Sequence, residues 1–208
     1  MKHYYIFLLV ITLTVFKGLN AQSYLDDFQS VDEFVTLNDH SYFVAQDPIH
    51  GKELWKTDGT KKGTVLVKDI IGGNDSSEPR NLFVFDEAIF FSANDGIHGH
   101  ELWKTDGTAE GTVMVIDIFP PLRTGSNPYD FTVFEGQLFF VARTENSGGY
   151  KLWKTDGTPE GTLLVHQNEP GFGGDFVELT VANGKLYFVR KYGGNQLWQS
   201  DGTTAGTE

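Results

Sequence analysis

The 208-residue chain contains no cysteine. Disulfide staples, thiolate metal centres and lipid attachment through cysteine are thereby excluded. Basic residues are scarce: 16 lysines and arginines face 28 acids, a formal net charge of −12. A surface of that sign repels phosphate backbones, so nucleic acid is not an expected partner. Such a surface suits solubility and also attracts cations, and composition does not separate the two roles. Low-complexity stretches and like-charge blocks are absent, which argues against disorder. Long apolar runs are missing too. Tyr4 to Phe16 is an uncharged run of 13 residues, short of the roughly 20 that a spanning helix needs. It follows Lys2 and precedes Leu19-Asn20-Ala21, which is the order of a secretory signal peptide cut before Gln22. Residues 1–21 are therefore expected to be a signal peptide. The expected location is secreted or cell-surface, with no membrane span after cleavage. Cleavage removes Lys2 and Lys17 and deepens the acidic imbalance.

What the chain does have is one phrase written four times. Leu54 to Thr64 reads LWKTDGTKKGT, Leu102 to Thr112 LWKTDGTAEGT, Leu152 to Thr162 LWKTDGTPEGT and Leu197 to Thr207 LWQSDGTTAGT. The copies are 48, 50 and 45 residues apart and contain all 4 tryptophans. Self-similarity at that period marks a solenoid, propeller or array. Residues 22–208 divide into units of about 31–71, 72–118, 119–168 and 169–208.

Each unit reads as four short strands. In the second these are Asn81–Phe85, Ala88–Ala93, Glu101–Thr105 and Thr112–Ile118, separated by Asp86-Glu87, Asn94-Asp95-Gly96 and Asp106-Gly107. Asn183-Gly184 between apolar runs is a strong hairpin signal, because both residues accept the positive φ of a type I′ turn. Helical periodicity is absent. Leu102 and Trp103 are adjacent, so they point to opposite faces of one strand. Both faces of each sheet must then be covered, which a radial stack of sheets achieves. The expected fold is all-β: a β-propeller of about four four-stranded blades. A right-handed β-solenoid is the runner-up, disfavoured by the hairpin turns. The fourth unit reaches Glu208 where the others begin an outer strand, so its last strand is expected to be incomplete. An open arc of a longer chain is the first reading; a closing strand from Ser23 to Phe28 is the other.

The phrase Leu-Trp-x-x-Asp-Gly-Thr-x-x-Gly-Thr, with Glu53 and Glu101 before its first two copies, resembles the ELWxxDGT repeat family. The flanks Asp95-Gly96-Ile97-His98-Gly99 and Leu66-Val67-Lys68-Asp69-Ile70 are similar too. The resemblance runs from about Val31 to the end. It implies a secreted or surface protein of Bacteroidetes-type bacteria with a propeller-like fold; it implies no chemistry. Lys151 and Gln196 depart from the glutamate, and Gln199-Ser200 replaces Lys-Thr.

Candidate residues fall into two groups. Trp55, Trp103, Trp153 and Trp198 suit either sugar stacking or inter-blade packing, and their place beside a leucine in mid-strand favours packing. Asp58-Gly59, Asp106-Gly107, Asp156-Gly157 and Asp201-Gly202 have the chemistry of a tight turn. Calcium is the alternative there, but one carboxylate per loop is thin for a cation wanting about 6–8 oxygens. The expected cofactor is therefore none, with calcium the option left open. The second group lies on the loop face: His50, Asp95, His98, His100 and Arg123. His98-Gly99-His100 with Asp95 is a conceivable transition-metal set, weighed against solvated loop residues, and no metal is assigned. The variable connectors 72–80, 119–127 and 169–175 lie on a repeated frame, where recognition is usually placed.

No Gly-x-Ser-x-Gly, His-Glu-x-x-His or phosphate loop occurs. The leading expectation is a secreted, non-enzymatic repeat module that binds or adheres to an extracellular glycan or protein. A carbohydrate-active hydrolase or lyase is the alternative, and it requires two carboxylates converging on an axial pocket. A structural fragment of a longer surface protein is the third reading.

Overall fold

The computed structural model describes residues 27–120, 124–144, 149–166, 175–191 and 193–208. The expected signal peptide, most of the Ser23 to Phe28 closing strand, Arg123 and most of the 169–175 loop lie outside the described residues.

The strands fall into four antiparallel sheets in sequence order. Blade 1 holds β1 (Ser30–Leu37), β2 (His40–Asp47), β3 (Gly51–Thr57) and β4 (Val65–Lys68). Blade 2 holds β5 (Arg80–Phe85), β6 (Ala88–Asn94), β7 (His100–Thr105) and β8 (Val113–Ile116). Blade 3 holds β9 (Tyr129–Phe134), β10 (Gln137–Arg143), β11 (Tyr150–Thr155) and β12 (Leu163–His166). Blade 4 holds β13 (Asp175–Ala182), β14 (Lys185–Lys191) and β15 (Asn195–Ser200). After β15, the Gln199 and Glu208 backbones exchange hydrogen bonds of 2.8 and 3.0 Å. This pairing matches Lys56–Val65, Lys104–Val113 and Lys154–Leu163 in the complete blades.

Asn183 and Gly184 carry φ of 50° and 71°, the left-handed pair that a type I′ hairpin turn requires. β8 is shorter than the pattern predicts. Ile118 N–H donates to the Glu101 carboxylate at 3.1 Å instead of extending the ladder.

The first strands of successive blades touch one another: β1 meets β5, β5 meets β9 and β9 meets β13. They therefore line the axis. Each carries a bulge, with positive φ at Glu33, Asn81, Asp130 and Glu178. The bulges join blades: Leu82 N–H donates to Glu33 (2.8 Å) and Leu179 N–H to Asp130 (3.0 Å). No comparable packing joins β13 to β1 among the described residues. Among the described residues the array is an open arc of propeller blades.

Both faces of each inner sheet are buried, as the Leu-Trp adjacency requires. Trp103 joins Ile89 and Phe91 in a cluster with Leu37, Tyr42 and Leu54 of blade 1. Leu102 and Phe90 pack the other way, with Phe131, Leu138 and Phe140 of blade 3. Trp103, Trp153 and Trp198 face the preceding blade, and Leu54, Leu102 and Leu152 the following one. At about 25 cal/mol per Å² of apolar area removed from water, these repeated interfaces are the main source of stability. No helix among the described residues is long and apolar enough to cross a membrane.

Candidate functional site

The repeated motif is almost wholly consumed by architecture. Asp58 Oδ1 accepts the Thr60 N–H (2.9 Å) and hydroxyl (2.7 Å). The Thr60 hydroxyl in turn accepts Gly63 N–H at 3.0 Å, and Thr64 Oγ1 donates to Thr60 O at 2.8 Å. The same four contacts recur at Asp106, Asp156 and Asp201. Hydrogen bonds from the threonine hold all four carboxyls below the usual carboxylate range. The second glycine of the motif is explained as well: a Cβ on Gly63, Gly111, Gly161 or Gly206 would overlap that carboxylate. Each aspartate therefore closes its own turn.

The motif lysine, which sequence reasoning passed over, links blades. Lys56 Nζ donates to Gly107 O (2.8 Å), Lys104 to Gly157 O (2.8 Å) and Lys154 to Gly202 O (3.1 Å). Gly107, Gly157 and Gly202 sit at φ of 87–91°, which presents that carbonyl to the preceding blade. Trp55 and Trp103 are 9% and 7% exposed, which removes them as a sugar-stacking row.

A second lock uses the motif glutamate. Glu101, fully buried, accepts Ser126 N–H at 2.8 Å and its hydroxyl at 2.5 Å. Glu53 holds Ser77 in the same way, at 2.9 and 2.5 Å. Both serines lie on the connector that leads to the next blade. Burial pushes both carboxyls up to about 7, against the pull of these hydrogen bonds. Lys151 and Gln196 replace the glutamate in the later units.

The free chemistry lies at the loops after β2 and β6. In blade 2, Asp95 Oδ1 accepts the backbone N–H of Ile97 (2.9 Å) and His98 (2.8 Å). Its Oδ2 lies 2.6 Å from His98 Nδ1. Blade 1 repeats this with Asp47, Ile49 and His50, at 3.0, 2.6 and 2.8 Å. Burial pushes Asp47 and Asp95 up, but the histidine and isoleucine hydrogen bonds outweigh it and hold both below the usual range. The Asp95 hydrogen bond raises His98. Ile49 and Ile97 are each 67% exposed. Two adjacent blades thus present the same rigid tip, an exposed isoleucine beside an oriented imidazole.

His100 does not belong with these loop residues. It opens β7, where it bridges Gly125 of the next connector. Burial pushes its imidazole down, and its Nδ1 has no partner among the described residues. Asp95 therefore pairs with His98 and not with His100, because the strand begins between them. No group of three or more potential metal ligands occurs among the described residues.

Other clefts are small. One of about 190 Å³ lies beside Trp55 and is lined by Asp27, Phe28, Asp47 and Lys61. Its carboxylates are engaged, Asp27 with Lys61 at 3.2 Å and Asp47 with His50. Another of about 160 Å³ lies between blades 2 and 3, beside Asp86, Lys104 and Asp156. On the axial strands, burial pushes the Asp130 carboxyl up, and the nearby Glu178 charge adds to the rise.

No family model matches the chain, and no curated protein matches it. Solved structures do. A puromycin hydrolase aligns at 15% identity over 88% of this chain and 29% of its own, with a TM-score of 0.59. A puromycin-hydrolyzing peptidase of Mycobacterium tuberculosis aligns at 17% identity over 87% and 28%, TM-score 0.55. The β-propeller domain of the trilobed protease of Pyrococcus furiosus aligns at 10% identity over 80% and 48%, TM-score 0.46. The chain spans less than a third of the two hydrolase chains. At these identities the likeness is one of fold, and the fold is a β-propeller arc.

Proposed function

We propose that the chain is a secreted or cell-surface, non-enzymatic repeat module that binds an extracellular glycan or protein. The observation that carries this is the pair of preorganised tips, Ile49-His50 and Ile97-His98, on adjacent blades. An exposed apolar side chain beside a fixed hydrogen-bonding ring offers contact area and orientation at little entropic cost. The motif residues are occupied in holding the frame, so ligand choice falls to these loops and the variable connectors. The export segment and the resemblance to the ELWxxDGT family support the extracellular location. The test is binding to arrays of glycans and extracellular proteins. The Ile49→Ser/Ile97→Ser variant is expected to bind its ligand about tenfold more weakly or worse with unchanged unfolding. A ligand bound equally by the variant contradicts the site.

A second reading has one observation in its favour. Asp130, lifted by burial, stands beside Glu178 on adjoining axial strands, a pairing of the kind that separates acid from base. The puromycin hydrolases share the fold. This reading makes the chain a hydrolase on a propeller scaffold. It requires turnover of a glycoside or peptide substrate that Asp130→Asn abolishes.

A further inference from the structure

The motif leucine is buried three times and exposed once. Leu54, Leu102 and Leu152 are 1%, 0% and 0% exposed, each covered by the following blade; Leu197 is 75% exposed. The register puts Val177, Val189 and Leu197 on one face of blade 4, with Tyr187 beside them. The equivalent face of blade 3, with Phe139, Val141 and Leu152, lies inside the cluster shared with blade 4. The lysine that crosses to the next blade is replaced here by Gln199, which pairs within its own blade to Lys185 and Glu208. Blade 4 therefore repeats the inter-blade face, and no described residue covers it.

The complementary surface is on the same chain. A leucine face receives, in each internal interface, the tryptophan face of the next blade. Blade 1 carries that face too: Phe43, Ala45 and Trp55 stand where Phe91, Ala93 and Trp103 stand in blade 2. No sheet of the described residues precedes it. Phe34 there is 41% exposed. Phe28 packs edge-on against Phe43 (5.7 Å between centroids) and Trp55 (4.8 Å).

We propose that the Leu197 face of blade 4 docks on the Trp55 face of blade 1 in a second copy of this chain, displacing Phe28. Each copy offers one of each face, so two arcs close head to tail through two such contacts. The resulting eight blades stay within the range that propellers use. The contact reproduces, between copies, the packing already made three times within one.

The test is sedimentation of the product of the full reading frame over a range of concentrations. The wild type is expected to self-associate. Leu197→Glu is expected to weaken association about tenfold or more, since it buries an unpaired charge. Phe28→Ala is expected to strengthen it by removing the competitor. A wild type that stays monomeric at its highest soluble concentration overturns the proposal, as does a Leu197→Glu variant that associates equally well. The chain lacks cysteine, so Leu197→Cys is a clean probe of the arrangement. A disulfide between two Leu197→Cys copies reports a face-to-face pair and also overturns it.

Discussion

Trp103→Ala is expected to destabilise the chain by about 3–5 kcal/mol, the range for removing a buried large aromatic. The indole is 7% exposed and lies among Leu37, Tyr42, Leu54, Ile89 and Phe91. Neither neighbouring sheet is free to collapse into the void, because each is held by backbone ladders and by the Lys56–Gly107 bond. A single domain has roughly 5–15 kcal/mol to lose, so the variant should sit near the edge of folding. Urea unfolding measures the change. Trp198 is only partly buried and lies in the terminal blade, so Trp198→Ala should cost less. Equal costs at the two positions would show that depth of burial is not what sets the tryptophan's contribution.

Stability should fall as pH rises from about 5 to 8. Glu53 and Glu101 ordinarily titrate at 4.5 and are pushed up to about 7 by burial. Between those values the folded chain binds more protons than the unfolded one, so unfolding becomes easier with rising pH. The contribution is complete below 4.5, declines through the window and is lost above about 7. A lift of that size corresponds to something on the order of 3 kcal/mol for each carboxyl. His98, raised by Asp95, acts in the same direction, while His100, lowered by burial, acts against it. The four turn aspartates, held below their usual range, withdraw their support only in stronger acid. Urea midpoints at pH 5 and pH 8 check this. The Glu53→Gln/Glu101→Gln variant should show a much smaller difference between the two. A wild type equally stable at both pH values contradicts the account of these carboxyls.

The architecture was legible because the motif places Leu and Trp side by side. Adjacent large apolar residues in a strand demand cover on both faces, and the turn residues set the strand limits. The incomplete last blade was legible from the position of Glu208 in its unit. The cross-blade locks were not. Lys56, Lys104 and Lys154 look like solvated strand residues until the next blade brings a glycine carbonyl to them. The Glu–Ser locks did leave a trace: Ser77 and Ser126 stand 24 and 25 residues after Glu53 and Glu101, and in the third unit, where Lys151 replaces the glutamate, Asp175 stands at that spacing. His100 was misplaced because its pairing partner, Gly125, belongs to a connector without strand pattern. The tips stood out as His50 and His98, but the exposed Ile49 and Ile97 beside them carry no signal in an isolated sequence. A lone apolar loop residue is ordinary, and only its repetition on the neighbouring blade gives it meaning.

The central claim is that the sheets stack face on face, with the tryptophans of blades 2 to 4 turned toward the preceding blade. A pair of double-mutant cycles tests it most directly. Leu54 and Trp103 lie 49 positions apart and share one cluster; Leu102 and Trp103 are neighbours in sequence and lie in different clusters. Trp103 Nε1 has no acceptor among the described residues, so Trp103→Phe removes volume without breaking a hydrogen bond. Combined with Leu54→Val, it should show a coupling above about 0.5 kcal/mol. Combined with Leu102→Val, it should be additive within about 0.5 kcal/mol. The reverse pattern, coupling between sequence neighbours and none between Leu54 and Trp103, would contradict the stacked-blade arrangement.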